Sequence, residues 1–134
     1  MKENSLKKNL ILKKRNEIAE TLKNGRRFDL RSIRIIILPK HSLTHLKAAF
    51  LVSKKLGKES VLRNKVKRWL REIFRQNKQY FPGRLQIIIT SRSPYSELDY
   101  STLKSDFLEV VRSEKFTDFV NQSLSETVVP VQNG

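Results

Sequence analysis

The chain has 134 residues, enough for one domain with a hydrophobic core and too few for two. Its 28 Lys and Arg against 13 Asp and Glu give a formal charge of +15, which favours a polyanionic partner: nucleic acid first, with an anionic membrane surface as the main rival. The absence of cysteine excludes disulfides and thiolate metal sites, and no apolar run approaches the roughly 18–20 residues of a membrane-spanning helix.

The distribution of charge and apolar residues predicts one folded domain between two less ordered ends. We expect a basic flexible arm over residues 1–12, a domain over 13–120 and a frayed tail over 121–134. The lysine-rich N-terminus lacks the apolar segment of a signal peptide. A chain without cysteine is compatible with the reducing cytoplasm, where we expect this protein.

A helix and two strands are predicted in the first third of the domain. Good helix formers occupy residues 13–24, and Gly25 is typical of a residue that follows a helix end. A run rich in β-branched residues predicts a strand over 33–38, interrupted on one face by Arg34. A second strand is predicted over 46–53, and we expect these two strands to pair antiparallel across the intervening loop.

The next predicted element is a central helix over residues 60–76, whose two faces differ in chemistry. At roughly 100° per residue, one face is apolar and wide enough to pack on a sheet. That face consists of Leu62, Val66, Trp69, Leu70 and Ile73. Burial supplies several kcal/mol at roughly 25 cal/mol per Å², whereas each like-charge pair costs only a few tenths. The helix can therefore fold while its cationic face stays free.

The cationic face of this helix carries one acid, Glu72, which is able to pair with Arg68 four residues earlier. An ordinary solvated face would mix both signs of charge more evenly. Contact with phosphate groups is therefore the better interpretation of this segment. We assign Trp69 to the core, because it shares the face of Val66 and Ile73.

The last part of the domain is predicted as a strand followed by helix. Residues 85–90 are typical of a strand buried on both faces, and Asp99 suits the N-cap of the next helix. Phe116 and Phe119 indicate an extension of that helix or a further short one. The order of elements predicts an α+β fold, a single-domain α/β sandwich with a small mixed sheet of three to four strands packed against helices.

Residues 52–75, VSKKLGKESVLRNKVKRWLREIFR, resemble the signature segment of the protein subunit of bacterial ribonuclease P. The residues that carry this resemblance are Val52, Ser53, Lys54, Lys55, Gly57, Val61, Arg63, Asn64, Lys67, Arg68, Arg71 and Glu72. Lys65 stands where the family has the second arginine of an R-N-R motif, which keeps the charge but loses the planar guanidinium fork. The resemblance extends over most of the chain.

The resemblance implies a small basic subunit that binds a catalytic RNA and the 5′ leader of precursor tRNA, and so aids endonucleolytic removal of that leader. It also implies a left-handed crossover connection, against the usual handedness rule. The RNA-binding residues that it implies are Lys54, Lys55, Arg63, Asn64, Lys65, Lys67, Arg68 and Arg71. A leader cleft between the sheet and the first helix is implied at Ile18, Leu22, Arg34 and Ile36. The family commonly has aromatic residues where Ile18, Leu22 and Ile36 stand, so apolar packing and backbone charge are expected to replace base stacking.

No pattern in the sequence indicates that the protein carries chemistry itself. His41 and His45 lack the glutamate of a helical zinc motif, and the chain has no cysteine to act as a nucleophile. We expect a non-catalytic component of an RNA-based endoribonuclease, with Mg²⁺ held mainly by the RNA subunit and with no small-molecule substrate or membrane partner. The alternatives are a ribosomal-protein-like RNA-binding protein without processing activity and a metal-dependent protein nuclease.

Overall fold

The computed structural model describes residues 8–128, except for the side chains of Asn9 and of residues 125–128. Its helices and strands form one domain. They are α1 (Arg15–Asn24), β1 (Arg26–Leu30), β2 (Ile33–Pro39), β3 (Lys47–Leu51), α2 (Ser60–Gln76), β4 (Leu85–Ser91), α3 (Tyr100–Val111) and α4 (Glu114–Val128). The predicted α+β class, with a mixed sheet packed against helices, is confirmed.

The four strands form one sheet in the order β1-β2-β4-β3. β2 pairs antiparallel with both β1 and β4, whereas β3 pairs parallel with β4. The predicted antiparallel pairing of β2 with β3 is therefore wrong, because β4 lies between them. Ile87, Ile88 and Ile89 of β4 are fully buried, and a strand that is apolar on both faces gains most from a central position. β3 and β4 are parallel neighbours joined through α2, so the connection β3-α2-β4 is the crossover that the resemblance implies to be left-handed.

The main core lies between one face of the sheet and the helices α2 and α3. Ile35 and Ile89 meet Leu70 from α2 and Phe107 from α3, and all four side chains are fully buried. Trp69 is only partly buried at the border of this core, where its ring contacts the ring of Tyr100 at 6.5 Å. Packing of the apolar face of α2 against the sheet follows the amphipathic pattern of the sequence.

β1 is a strand that the sequence did not reveal. Its residues are mostly charged, and Phe28 is the buried one among them. β1 forms a hairpin with β2 through a turn in which Arg31 has a φ of +44°. Pairing with the apolar strand β2 supplies the hydrogen bonds that make this short segment a strand, and such pairing is not a local property of the sequence.

The folded part of the chain begins before residue 13 and extends past residue 120. Ile11 bridges to Ala48 of β3, and the N–H of Leu12 donates to the Ala48 carbonyl at 2.8 Å. At the other end, α4 continues through the start of the predicted tail, and Ser123 is buried. Residues 1–7 of the predicted arm and 129–134 of the predicted tail lie outside the described residues.

α1 packs on the opposite face of the sheet from α2. Ile18 contacts a small apolar cluster that includes Ile36 and Ile88. The end of α1 approaches β2 so closely that a Cβ on Gly25 would lie 2.5 Å from Cγ2 of Ile36. A glycine is required there because any side chain would push α1 away from the sheet.

Candidate nucleic-acid interface

α2 holds its cations outward because the rest of the helix is anchored in the core. Val66, Leu70 and Ile73 are fully buried, and Arg68 and Arg71, on the other side of the helix, are exposed. This orientation is set by the period of the helix, which separates apolar and charged positions onto two faces. The result is a cationic surface on a rigid element.

Apart from Arg75, the cations of α2 are not neutralised by acids among the described residues. In the described part of the chain, no ion pair involves Arg63, Lys65, Lys67, Arg68 or Arg71. Since the Coulomb energy of these groups is not satisfied within the protein, an external polyanion is the partner that this surface favours.

Glu72 pairs with Arg75 in the structure. Its carboxylate accepts two hydrogen bonds from the guanidinium of Arg75, the one from Nε at 2.9 Å, and one from Gln76. These bonds from Arg75 hold the pKa of Glu72 below its ordinary value. Glu72 does not form the pair with Arg68 that the spacing allows, because Arg75 presents two of its N–H donors in the geometry that matches a carboxylate. Arg68 is left available for an external partner.

Several cations of α2 are oriented by contacts that leave their charge intact. The Lys65 ammonium lies 5.5 Å from the Trp69 ring centroid, and the Arg71 guanidinium lies 5.8 Å from that of Phe50. The Nη1 of Arg63 donates to the carbonyl oxygen of Lys58 at 2.7 Å. Cation–π and carbonyl contacts restrict these side chains without adding a negative charge.

Lys54 and Lys55 lie in a short 3₁₀ turn just before α2, and both are exposed. The Oγ of Ser53 accepts a hydrogen bond from the Lys55 N–H at 3.1 Å. Gly57 ends the turn against the buried ring of Tyr95, where a Cβ would lie 2.7 Å from Cδ2. The turn is thus held against the core beside the start of α2, where Asn64 is also exposed.

The four residues predicted for the leader cleft differ in accessibility. Ile18 is partly buried, Leu22 is 38% exposed and Ile36 is 1% exposed. Ile36 lies beneath α1, so it supports the floor of the cleft and has no surface to offer to a ligand. Arg34 lies on the same face of the sheet, because alternate residues of a strand share a face.

Arg34 is the one predicted site cation that is paired with an acid in the described structure. Its Nε and Nη2 donate to the two carboxylate oxygens of Asp29 at 2.8 and 2.9 Å. These bonds from Arg34 hold the pKa of Asp29 below its ordinary value, and Arg92 approaches the same carboxylate at 3.9 Å. Arg27 is also close to this carboxylate. Asp29 therefore has three arginines around it, and the group of four residues keeps a net positive charge.

A crevice of about 150 Å³ joins the two groups of predicted residues. Ile18 and Leu51 contribute apolar lining, and Lys67 and Arg71 contribute the cations. Ile11, which was assigned to the flexible arm, also lines the crevice. Sequence reasoning missed Ile11 and Leu51 as site residues; the alternation of Ala49 and Leu51 along β3 is the signal that places Leu51 on the α1 side of the sheet.

The register of the sheet relates this crevice to Arg34. Arg34 is opposite Thr90, and Thr90 is opposite Leu51. With neighbouring strands about 4.8 Å apart, the backbones at Arg34 and Leu51 are separated by roughly 10 Å. An extended ligand that lies in the crevice and crosses the sheet along these paired residues therefore reaches both Leu51 and Arg34.

The described residues do not fit a protein-held metal ion or a membrane-spanning segment. Within residues 8–128, no three His, Asp or Glu side chains lie where they would bind one ion, and His41 and His45 are no exception. Mg²⁺ prefers carboxylate and phosphate oxygens, and the carboxylate of Glu72 on α2 already accepts hydrogen bonds from Arg75 and Gln76. None of the described helices has the length and apolar content needed to cross a bilayer.

Comparison with known protein families gives one consistent match. The family model described as Ribonuclease P matches residues 6–115. The Ribonuclease P protein component of Geobacillus sp. (strain WCH70) is 32% identical over 107 residues, which are 80% of this chain and 91% of that protein. The corresponding protein of Geobacillus thermodenitrificans is 33% identical over 108 residues, which are 80% and 88% of the two chains.

Solved structures show the same relationship. The ribonuclease P protein of Staphylococcus aureus superposes with a TM-score of 0.69 at 27% identity, covering 77% of this chain and 93% of that one. The protein from Thermotoga maritima gives a TM-score of 0.65 at 26% identity, covering 78% and 97%. The sequence match, the shared fold and the exposed cations of α2 agree, and the chain belongs to the ribonuclease P protein family.

Proposed function

We propose that this protein binds the RNA component of ribonuclease P through α2 and the preceding turn, and holds the 5′ leader of precursor tRNA in the crevice beside α1. The observation that carries the proposal is the helix α2, whose apolar face packs in the core while its cations other than Arg75 have no acid partner in the described chain. Family membership supports involvement in ribonuclease P, where the product is the mature 5′ end of tRNA.

The proposed contact with the RNA component is electrostatic. Lysine and arginine side chains on α2 and in the turn at Lys54 and Lys55 neutralise phosphates, and the RNA releases its condensed counterions into solution. Because α2 is fixed in the core, the cations lose little freedom when they bind. Asn64 adds a neutral donor and acceptor among them, suited to the sugar–phosphate backbone or to a water bound there.

The proposed contact with the leader combines apolar surface and charge. Ile18, Leu22 and Leu51 offer aliphatic surface to the bases, while Lys67 and Arg71 face the backbone from α2. Arg34 and its neighbours extend the positive charge along the same face of the sheet, from β3 to β2. Aliphatic contacts do not distinguish bases by hydrogen bonding, so this arrangement favours a cleft that accepts leaders of varied sequence.

The proposal assigns the chemical step to the RNA. Mg²⁺ held mainly by RNA phosphates would supply the charge stabilisation and the activated water for hydrolysis. The part of this chain lies in lowering the repulsion between two polyanions, so that less Mg²⁺ is needed to bring them together.

Substitution of three α2 cations tests this role. In holoenzyme reconstituted with the cognate RNA, the triple change Arg63→Ala, Lys67→Ala and Arg68→Ala should raise the Mg²⁺ concentration for half-maximal cleavage by about threefold or more. The reason is that three phosphates lose their protein counter-charges. The measurement is release of leader from precursor tRNA labelled at its 5′ end.

The control is an equal loss of charge around the junction of α3 and α4, with Lys78→Ala, Arg112→Ala and Lys115→Ala. Arg112 contacts Tyr80, which follows the end of α2, and Lys115 lies in the first turn of α4. This control should cleave with the Mg²⁺ dependence of the wild type. If the α2 variant, shown by circular dichroism to be folded, also kept that dependence, the electrostatic mechanism would be wrong.

The same assay separates the alternatives. A ribosomal-protein-like RNA-binding protein would not accelerate leader release when it is added to the ribonuclease P RNA. A protein nuclease would cleave the precursor in the absence of that RNA, and we expect no such cleavage.

A further inference from the structure

A second recess lies beside the start of α1 and contains a concentration of lysines. Its volume is about 280 Å³, and four of its seven lining residues are lysines. We call it the lysine recess, and its lysines are Lys8, Lys13, Lys14 and Lys47. Neither the predicted RNA-binding residues nor the predicted leader cleft include any of them.

The lysine recess has a net positive charge that the protein does not neutralise. Glu17 is the one acid among its lining residues. The ion pairs found within residues 8–128 include none of the four lysines. Four ammonium groups around one small recess repel one another, so the recess favours an anion that bridges them.

The recess is built by backbone contacts and does not depend on a loose arm. The N–H of Ile11 donates to the Lys8 carbonyl at 3.1 Å, and Ile11 itself bridges to Ala48, the neighbour of Lys47. The N–H of Leu12 bonds to the Ala48 carbonyl at 2.8 Å. These bonds bring the segment before α1 alongside β3, so that lysines from both segments face one space.

The lysine recess is continuous with the crevice proposed to hold the leader. Ile11 lines both of them. Lys47 at the recess and Leu51 at the crevice lie on the same face of β3, four residues or roughly 13 Å apart. Going away from α2, the crevice comes first and the recess second. A single strand of RNA that leaves the crevice on this side therefore enters the recess.

We propose that the lysine recess binds the phosphodiester backbone of the leader, at nucleotides farther from the cleavage site than those in the crevice. This inference rests on the proposed function and adds a second leader site to it. The recess is lined by four ammonium groups and one carboxylate, so its net positive charge favours phosphates over bases, and it acts only on precursors whose leader is long enough to reach it.

The test compares two lengths of leader in the reconstituted holoenzyme. The triple change Lys13→Ala, Lys14→Ala and Lys47→Ala should weaken binding of a precursor with a leader of about twelve nucleotides roughly tenfold, and lower the salt dependence of its affinity. Binding of a precursor with a leader of about two nucleotides should stay within about twofold of the wild type, since such a leader does not reach the recess.

The variant Lys78→Ala, Arg112→Ala, Lys115→Ala again serves as the charge-matched control and should bind both precursors as the wild type does. An equal loss of affinity for both leader lengths would overturn the inference. It would show that the lysines contact the ribonuclease P RNA or the body of the tRNA and not the leader. Unchanged affinity for the long leader would also overturn the inference, because it would show that the lysines of the recess form only a solvated surface patch.

Two further measurements keep the outcome clear. If the triple variant unfolds at a lower temperature, the double change Lys13→Gln and Lys14→Gln, at two exposed positions, replaces it. Failure of the proposed function would be seen separately. In that case, adding the wild-type protein to the ribonuclease P RNA would not raise the affinity for either precursor.

Discussion

At the scale of single residues, the aliphatic side chains around α1 decide how the cleft contacts a leader. Ile18 is committed to the apolar cluster above the sheet, whereas Leu22 is 38% exposed one turn later. Leu22 is thus the position on α1 where a larger side chain meets a ligand without disturbing the core. An aromatic ring at this place would add a stacking surface that the cleft now lacks.

The change Leu22→Phe should tighten binding of leader-containing precursor tRNA to the holoenzyme by about tenfold, since stacking on one base contributes roughly 1–3 kcal/mol. Affinity for mature tRNA, which has no leader, should not change. Fluorescence binding titrations with both RNAs measure the effect.

Asn24 provides the control for Leu22, because it is an exposed residue on the opposite side of α1, about 160° around the helix. The change Asn24→Phe adds the same ring away from the cleft and should leave the affinity unaltered. A similar gain from both variants would show that the ring acts nonspecifically and that Leu22 does not line the leader path.

At the scale of elements, a buried carboxylate connects the β1–β2 hairpin to α3. Asp106 is 3% exposed and accepts hydrogen bonds from the N–H of Ser32 at 3.1 Å, from the Ser32 hydroxyl and from Nε of Arg31 at 3.0 Å. Burial of Asp106 favours its neutral form, but the bonds from Ser32 and Arg31 outweigh this effect and hold the pKa of Asp106 below its ordinary value.

The change Asp106→Asn should lower the free energy of unfolding at neutral pH by about 2 kcal/mol, because the hydrogen bonds to a charged acceptor are weakened. A carboxylate with a lowered pKa in the folded state stabilises fully above its ordinary pKa, and this contribution is lost as pH falls through the folded value. The difference between the two proteins should therefore shrink below about pH 4. Urea unfolding at pH 7 and pH 3 measures it.

Asp118→Asn, at an exposed position on α4, is the matched control and should leave the free energy of unfolding unchanged within about 0.5 kcal/mol. A difference between wild type and Asp106→Asn that stayed constant with pH would contradict the assigned role of the Asp106 charge.

At the scale of the whole molecule, α4 completes the core at the end of the chain. The family match ends at residue 115, and α4 begins at Glu114. The Phe116 ring lies 5.1 Å from the ring of Phe28 and 5.4 Å from that of Phe81, both in edge-to-face geometry. α4 thus covers Phe28 of the short strand β1, on the opposite side of the sheet from α1.

Because α4 lies away from the cationic face of α2, weakening the packing of α4 in the core should lower the stability of the protein and leave RNA binding unchanged. The change Phe116→Ala should lower the free energy of unfolding by about 3–5 kcal/mol, measured by urea denaturation. Phe119→Ala, at a partly buried ring on the same helix, should cost less. Wild-type stability of Phe116→Ala would contradict this role for α4.

The amino-acid sequence by itself determined the features that depend on neighbouring residues. The two faces of α2 follow from the helical period, and burial of Val66 and Leu70 with exposure of Arg68 could be read from spacing alone. The N-cap role of Asp99 is confirmed, since its carboxylate accepts from the Thr102 N–H at 2.7 Å. Local hydrogen bonds and periodicity do not require knowledge of distant segments.

Tertiary structure alone decided the features that join distant segments. The insertion of β4 between β2 and β3, the strand β1, the burial of Ile36 beneath α1 and the bridge of Ile11 to Ala48 all depend on which surfaces meet. The crevice and the lysine recess follow from those contacts. The physical reason is that strand pairing and packing compare the energies of many long-range arrangements, and the local pattern of a segment does not contain its partner.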